Sequence, residues 1–151
     1  MSTPPRARRV PRYDEVSVGE PLPDLTVRVH RADLARYAQA SGDRNPIHLD
    51  DAAARRAGLG GVIAHGMLSM GLAGRVVTDW VGDPARVVDY SVRFTHPLPV
   101  PPDEQAPDGV PLQVAATVAA LLDAPFVRVD INARTGGVVV LGAARAVVRL
   151  D

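Results

Sequence analysis

The sequence predicts an α+β fold in which an antiparallel sheet wraps around one buried helix. Residues 63–81 form a long apolar segment with helical spacing, and about five other segments have the alternation or the β-branched composition of strands. The last two strands flank a turn at Thr135, Gly136 and Gly137, which is typical of an antiparallel hairpin. One apolar helix and strands in hairpin order bury their apolar faces by packing against each other, which gives this layout.

The chain has 151 residues, which suffice for one domain with a hydrophobic core but not for two. We expect this domain over residues 13–151, after a flexible, basic, proline-rich tail at residues 1–12. The tail lacks the apolar region of a secretory signal, and no later segment is long and apolar enough to span a membrane. We therefore expect a cytoplasmic protein with no membrane partner.

Charge and composition exclude several classes of function. The 17 acidic and 17 basic residues balance, so no general attraction to nucleic acid is expected. The chain has no cysteine, which excludes disulfides, thiolate metal sites and cysteine nucleophiles. Every basic residue of the 17 is arginine, and the absence of lysine excludes Schiff-base chemistry. We find no phosphate-binding loop, dinucleotide fingerprint or dense metal-ligand cluster, and we expect neither cofactor nor metal.

Three elements are predicted before the apolar segment. Leu25–Val29 is expected to be a strand, and residues 51–57 a short helix capped by Asp50 and ended by Gly58. Between them, Arg31–Ser41 fits a helix because its apolar residues lie three and four apart. The inward residues of that helix are Leu34, Tyr37 and Ala38.

The segment at residues 63–81 predicts the central helix. Its apolar stripe is so wide that the whole helix is expected to be buried. The stripe comprises Met67, Leu68, Met70, Leu72, Val76, Val77 and Trp80. Gly66, Gly71 and Gly74 each weaken a helix by about 1 kcal/mol relative to alanine, so we expect another group to pack close to the backbone at these positions.

The remaining chain predicts the rest of the sheet. Residues 88–94 alternate as a half-buried strand, and residues 97–111 are too rich in proline for a central strand and should form a long surface loop. The last three predicted strands are residues 112–121, 126–133 and 138–150.

The candidate catalytic residues lie between the two short helices. Gly42 ends the first helix, and the turn-forming residues that follow present Asp43 and His48 from a loop. An acid and a histidine five residues apart do not share a helix face, but a loop can bring them to one point where they move protons. The residues alone also fit an ordinary turn with one satisfied histidine. His30, His65 and His96 have no acid at such spacing, and structural roles are favoured for them.

Gly66 is expected near the N-terminus of the central helix, where backbone amides are unpaired. These amides and the positive end of the helix dipole can hold a developing negative oxygen. The missing Cβ atom lets a carbonyl group approach. Gly66 is therefore the candidate oxyanion-binding residue.

The segment at residues 37–54 resembles the signature of the (R)-specific hydratase or MaoC-like family of hot-dog proteins. That signature has an aromatic residue, then SGDxNPxH, then a small residue six positions after the histidine. The matching residues are Tyr37, Ser41, Gly42, Asp43, Asn45, Pro46, Ile47, His48 and Ala54. AHGM at residues 64–67 follows at the spacing typical of the family. IAHGMLSMG, WVGDPARV and YSVRFTHPLPVPPD are most similar to the catalytic subunit of the (3R)-hydroxyacyl-ACP dehydratase of type II fatty-acid elongation.

The resemblance implies a hot-dog fold and reversible loss of water from a 3-hydroxyacyl thioester. In this reaction His48 is expected to be the base for C2, and Asp43 to deliver a proton to the leaving hydroxyl directly or through water. Both groups acting on one water is the alternative. The Gly66 amide would polarise the thioester carbonyl, and Asn45 would orient the loop.

The resemblance also implies an acyl-ACP or acyl-CoA substrate and a dimer, either with a second copy or with a related hot-dog subunit. Acyl length, carrier, physiological direction and the choice between a fatty-acid and a polyketide pathway stay open. The first alternative is a stand-alone (R)-specific enoyl-CoA hydratase. The second is a non-catalytic subunit that shapes a tunnel for its partner, although such a subunit needs neither Asp43 nor His48. A thioesterase has no distinctive signal in this sequence.

Overall fold

The computed structural model describes residues 9–151. Most of the predicted tail, residues 1–8, lies outside the described residues. The helices are α1 (Arg31–Ser41), α2 (Asp51–Arg56) and α3 (Gly66–Val81). The strands are β1 (Leu25–Val29), β2 (Val87–Phe94), β3 (Val110–Leu121), β4 (Phe126–Thr135) and β5 (Val138–Arg149).

The five strands form one antiparallel sheet in the order β1-β3-β4-β5-β2. The predicted hairpin turn joins β4 to β5, and Gly136 and Gly137 both have positive φ there, which glycine adopts without strain. Helix α3 packs on the sheet, and the buried side chains of both form one core. The predicted α+β hot-dog fold, with a sheet wrapped around a central helix, is confirmed.

Helix α3 buries one face, although burial of the whole helix was predicted. Its buried residues are Ser69, Ala73, Val76, Val77 and Val81. Met67 is 58% exposed, so its assignment to the buried stripe was wrong. The helix also begins at Gly66, because Ile63 is held in an extended bridge to Pro99.

The glycines of α3 differ in what packs against them. A Cβ atom on Gly66 would lie 3.0 Å from the Phe94 ring, and one on Gly74 would lie 3.0 Å from the Tyr90 ring. Close packing at these two positions was predicted and is confirmed. The same prediction was wrong for Gly71, where a Cβ atom would meet nothing within 4 Å.

The proline-rich segment after β2 is only partly a surface loop. Leu98 and Val100 are fully buried, and the backbone around them pairs with the segment that leads into α3. Ala64 N–H donates to the Leu98 carbonyl at 2.9 Å, and Val100 N–H donates to the Val62 carbonyl at 3.0 Å. Prolines on either side tolerate this pairing because alternate backbone groups point away from it.

Within residues 9–151, no helix has the length and apolar character needed to cross a bilayer. Of the predicted tail, residues 9–12 are described, and the Arg9 guanidinium pairs with Glu15 at 2.7 Å on the surface.

Candidate active site

The loop that carries Asp43 is fixed by local hydrogen bonds. Gly42 caps α1 in the left-handed region, with φ of 79°. The Ser41 hydroxyl donates to the Tyr37 carbonyl at 2.7 Å and accepts from Asp43 N–H at 3.1 Å. The Asp43 carboxylate accepts from Asn45 N–H at 3.2 Å and remains exposed to solvent. Asp43 therefore sits in a defined turn with its second carboxylate oxygen available.

His48 lies on a single 3₁₀ turn, Pro46–His48, whose first amide is capped by the Asn45 side chain. Its ring is buried, and Nδ1 lies 2.8 Å from the Ile63 carbonyl oxygen. A carbonyl only accepts, so Nδ1 carries the hydrogen and a neutral His48 has its lone pair on Nε2. The hydrogen bond thus fixes the tautomer in which Nε2 can act as a base.

His65 contacts both Asp43 and His48. Its ring stacks on that of His48, with centroids 4.0 Å apart and planes inclined by 28°. Its Nε2 lies 3.0 Å from the Asp43 carbonyl oxygen, and its ring packs edge-to-face with the Tyr37 ring, with centroids 4.7 Å apart. The prediction that no acid lies near His65 holds for sequence spacing but not in the fold. The sequence feature that could have identified His65 as a site residue is its position directly before Gly66.

A carboxylate oxygen of Asp43 and one ring nitrogen each of His48 and His65 lie within 4.8 Å of one another. Within residues 9–151, these three side chains form the group that could offer three ligands to a metal ion. The Nε2 hydrogen of His65 is used by the Asp43 carbonyl and the Nδ1 hydrogen of His48 by the Ile63 carbonyl, which leaves one ring nitrogen of each histidine for a ligand. Groups this close can also exchange a proton directly or through one water.

Gly66 is the first residue of α3, and its N–H finds no backbone acceptor within residues 9–151. It lines a cavity of about 290 Å³ together with His48. Other walls of this cavity are formed by Ile63, Ser69, Phe94, His96 and Leu98. His48 and the positive end of α3 therefore face the same space, whereas Asp43 is exposed to solvent and does not line this cavity.

A second, mostly apolar cavity of about 180 Å³ lies further along α3. Its walls come from α3 and from three strands: Gly71, Gly74, Val77, Val87, Tyr90, Ile131 and Ala146. The Tyr90 hydroxyl donates to the Met70 carbonyl at 2.6 Å, and burial raises the pKa of this phenol to about 12. Tyr90 is therefore a neutral, fixed wall of the cavity.

Asp51 stabilises the segment that leads into α3. Its carboxylate accepts from Val62 N–H at 2.9 Å and pairs with Arg31 at 2.8 Å. These two donors, the Val62 amide first, hold the pKa of Asp51 below its usual value. Val62 precedes the Ile63 carbonyl that fixes His48, so Asp51 anchors the segment that orients the histidine ring.

A family model described as "MaoC like domain" matches residues 15–106, which contain the loop, both histidines and all of α3. The chain belongs to the MaoC-like family. Among curated proteins, this MaoC-like chain is 40% identical over 81 residues to "3-hydroxyacyl-thioester dehydratase X" of Mycobacterium tuberculosis. That match covers 54% of the chain and 28% of the relative.

Two solved structures are similar over nearly the whole MaoC-like chain. A "MaoC-like dehydratase" superposes with a TM-score of 0.87 at 38% identity, covering 94% of this chain and 43% of that one. The R-hydratase PhaJ1 from Pseudomonas aeruginosa superposes with a TM-score of 0.77 at 30% identity, covering 92% and 84%. The match thus spans less than a third of the mycobacterial dehydratase and 84% of the PhaJ1 hydratase chain.

Proposed function

We propose that this MaoC-like chain is a (3R)-hydroxyacyl thioester dehydratase, which reversibly removes water to give the trans-2-enoyl thioester. The observation that carries the proposal is that His48 and the N-terminus of α3 line one cavity, and that a carboxylate oxygen of Asp43 lies within 4.8 Å of a ring nitrogen of His48. Removal of water needs a base at C2, a proton for the leaving hydroxyl and stabilisation of an enolate-like oxygen. The names of the mycobacterial dehydratase and of the PhaJ1 hydratase support the same reaction in its two directions.

His48 is the proposed base. The Ile63 carbonyl holds Nδ1–H, so the Nε2 lone pair is free to take the proton from C2. As C2 loses its proton, electron density moves onto the thioester oxygen, and the C3–O bond then breaks as the C2–C3 double bond forms. Because the ring is buried and stacked on His65, its orientation is fixed before the substrate arrives.

Asp43 is the proposed group that gives a proton to the departing hydroxyl, directly or through water. One proton leaves C2 and one joins the hydroxyl, so His48 and Asp43 return to their starting states by exchanging a single proton. A separation within 4.8 Å permits this exchange directly or through one water. In the hydration direction the same two groups would activate water. Asn45, which caps the 3₁₀ turn, is proposed to orient the loop.

Gly66 N–H is the proposed donor to the thioester carbonyl. It lies at the positive end of α3 and lines the cavity that His48 also lines. The acyl chain would then run along α3 toward the second cavity. Phe94 and Tyr90 face α3 from the same strand at Gly66 and Gly74, so they border this path. The carrier, ACP or CoA, would stay outside.

We propose further that the chain pairs with a second hot-dog chain, as the catalytic subunit of the hydroxyacyl-ACP dehydratase does. Strand β2 lies at the edge of the sheet, and its Val88 and Phe94 are 54% and 56% exposed. Met67, beside Gly66, is also exposed, and Phe94 lines the cavity, so part of the exposed apolar surface borders the proposed site. A fold neighbour, the ChsH1-ChsH2 complex of Mycobacterium tuberculosis, contains two different chains. A homodimer or a heterodimer would cover the same surface.

The test is a hydration and dehydration assay that follows enoyl thioester absorbance with crotonyl-CoA and with (3R)-hydroxyacyl-CoA and hydroxyacyl-ACP. The chain is assayed alone and with candidate hot-dog partners. Asp43→Asn and His48→Ala should each lower kcat by about 10²- to 10⁴-fold. Asp50→Asn is the matched control, because Asp50 only caps α2 and asparagine caps equally well.

The outcomes separate the alternatives. Turnover on CoA by the chain alone supports a stand-alone hydratase, and turnover only with a partner supports the assignment as the catalytic subunit of a two-chain dehydratase. If neither substitution changes turnover by the pair, the chain is a structural subunit. Release of free thiol would instead identify a thioesterase.

A further inference from the structure

The buried face of α3 carries one polar side chain. Ser69 is 2% exposed, whereas the other four buried residues of this helix are Ala73, Val76, Val77 and Val81. A hydroxyl on an apolar face is costly to bury unless it has a partner. The apolar stripe predicted from the sequence did not include Ser69.

The Ser69 hydroxyl has no hydrogen-bond partner among residues 9–151. Serine hydroxyls in helices often donate to the carbonyl four residues back, and Ser41 does so with Tyr37 at 2.7 Å. Ser69 makes no such bond to His65, although the two residues are joined through the backbone by Ser69 N–H and the His65 carbonyl at 3.1 Å. Ser69 lines the cavity formed by His48 and Gly66, so the unpaired hydroxyl borders the proposed substrate site.

Helix geometry directs this hydroxyl toward Gly66. Side chains in an α-helix tilt toward its N-terminus and cover the preceding turn. Ser69 is three residues after Gly66, so its side chain covers the turn that begins at Gly66. Gly66 and Ser69 both line the cavity that His48 lines, and a carbonyl oxygen in this cavity can meet both the Gly66 N–H and the Ser69 O–H.

We propose that Ser69 is a catalytic residue whose hydroxyl is the second donor, beside Gly66 N–H, to the thioester carbonyl oxygen. This inference rests on the proposed dehydratase function. The hydroxyl keeps its proton throughout. It strengthens its hydrogen bond as negative charge builds on the oxygen while His48 removes the C2 proton. Two donors aimed at one oxygen make a complete oxyanion hole, and one amide at a helix end makes half of it.

The test compares Ser69→Ala with Ser69→Thr in the protein as it is active, with its partner if one is required. Loss of the donor should lower kcat by about 100-fold and change KM by less than about threefold, because the interaction strengthens in the transition state. Ser69→Thr keeps a hydroxyl and should retain most of kcat. Ser17→Ala, which removes an exposed hydroxyl that lies outside β2 and does not line the cavity, is the control and should leave kcat unchanged.

A second measurement reports the hydrogen bond itself. Infrared difference spectra of bound enoyl thioester labelled with ¹³C at the carbonyl should show a lowered stretching frequency in the wild type. The frequency should move back toward the free value in Ser69→Ala. Ser69→Cys, which keeps the volume but donates weakly, should behave like Ser69→Ala and serves if the alanine variant does not fold.

The first step is to establish that wild-type turnover requires Asp43 and His48. A failure of the proposed function is then detected before any Ser69 variant is assayed. Given that turnover, wild-type kcat and an unshifted carbonyl frequency in Ser69→Ala would overturn the inference. A stable acyl ester on Ser69 would also overturn it, because it would make the hydroxyl a nucleophile.

Discussion

The Nε2 atom of His65 lies 3.0 Å from the backbone carbonyl oxygen of Asp43, so the residue that precedes α3 holds the loop that carries the acid. The same ring stacks on His48 at 4.0 Å. One buried side chain therefore sets the positions of both proposed proton-transfer groups relative to the N-terminus of the helix. The bond also fixes the hydrogen of a neutral His65 on Nε2, which leaves its buried Nδ1 without a partner within residues 9–151.

The two contacts of His65 can be removed separately. His65→Gln should keep a donor to the Asp43 carbonyl and lose the stack, whereas His65→Phe should keep the stack and leave the carbonyl unpaired. We expect the phenylalanine variant to lose about 1–3 kcal/mol of unfolding free energy, the usual cost of an unsatisfied buried group. It should also lower kcat more than the glutamine variant does, because the Asp43 loop loosens.

Urea unfolding and enoyl absorbance measure the two effects. His30→Asn is the control, because His30 lies outside the site at the N-cap of α1, where asparagine is favourable. Equal kcat in the two His65 variants would show that the stack, rather than the tie to Asp43, matters for turnover.

The sequence predicted the parts of this site that depend on local chemistry. Gly42 and the turn residues after it place Asp43 and His48 on a loop, because glycine caps and proline cannot continue a helix. The contact between His65 and Asp43 joins positions 22 residues apart, and spacing along the chain carries no information about it.

Two predictions from local composition were wrong for different physical reasons. The stripe of α3 contains more apolar residues than one face holds, so periodicity did not identify the buried face, and exposed Met67 was chosen over buried Ser69. Leu98 was assigned to a surface loop because of its neighbouring prolines, but its carbonyl pairs with Ala64 N–H across the fold. Local composition predicts turns well and long-range pairing poorly.

Gly66→Ala should lower activity while changing stability little. The added methyl would lie 3.0 Å from the Phe94 ring, but that side chain is 56% exposed and can move aside. We expect the free energy of unfolding to change by less than about 0.5 kcal/mol. The methyl would occupy the space in front of the amide, so kcat should fall by about 100-fold. Phe94→Ala in the same chain is the control, and recovery of kcat in the double variant would assign the loss to the displaced ring.

Gly71→Ala and Gly74→Ala form a matched pair on one helix. A methyl at Gly71 meets nothing within 4 Å, so alanine should stabilise the protein by about 0.5–1 kcal/mol through its higher helix propensity. A methyl at Gly74 would lie 3.0 Å from the Tyr90 ring, which its hydroxyl bond to Met70 holds in place. Overpacking should cancel the gain there, with a difference of about 1 kcal/mol or more between the variants in urea unfolding. Equal stabilisation by the two alanine substitutions would mean that the Tyr90 ring moves freely.

Asp51→Asn should destabilise the protein in a pH-dependent way. The Val62 amide and Arg31 hold the pKa of Asp51 below its usual value of 3.8, so the ionised group stabilises the folded state. This contribution is fully present above the unfolded pKa and is lost as pH falls through the lower folded pKa. Near pH 7 we expect a loss of about 1 kcal/mol, since the carboxylate is partly exposed and its pair with Arg31 is screened.

Urea unfolding at pH 7, 5 and 3 measures the effect. The difference in unfolding free energy between wild type and Asp51→Asn should be constant from pH 7 to 5 and shrink below about pH 4. Acid protonates Asp51 in the wild type, whereas asparagine has no charge to lose. Asp50→Asn, one residue away, should show no such narrowing, since Asp50 only caps α2. A difference in unfolding free energy that stays constant down to pH 3 would mean that neutral hydrogen bonding to Val62, rather than the charge of Asp51, stabilises the segment around Val62. Arg31 would then not anchor the segment that orients His48.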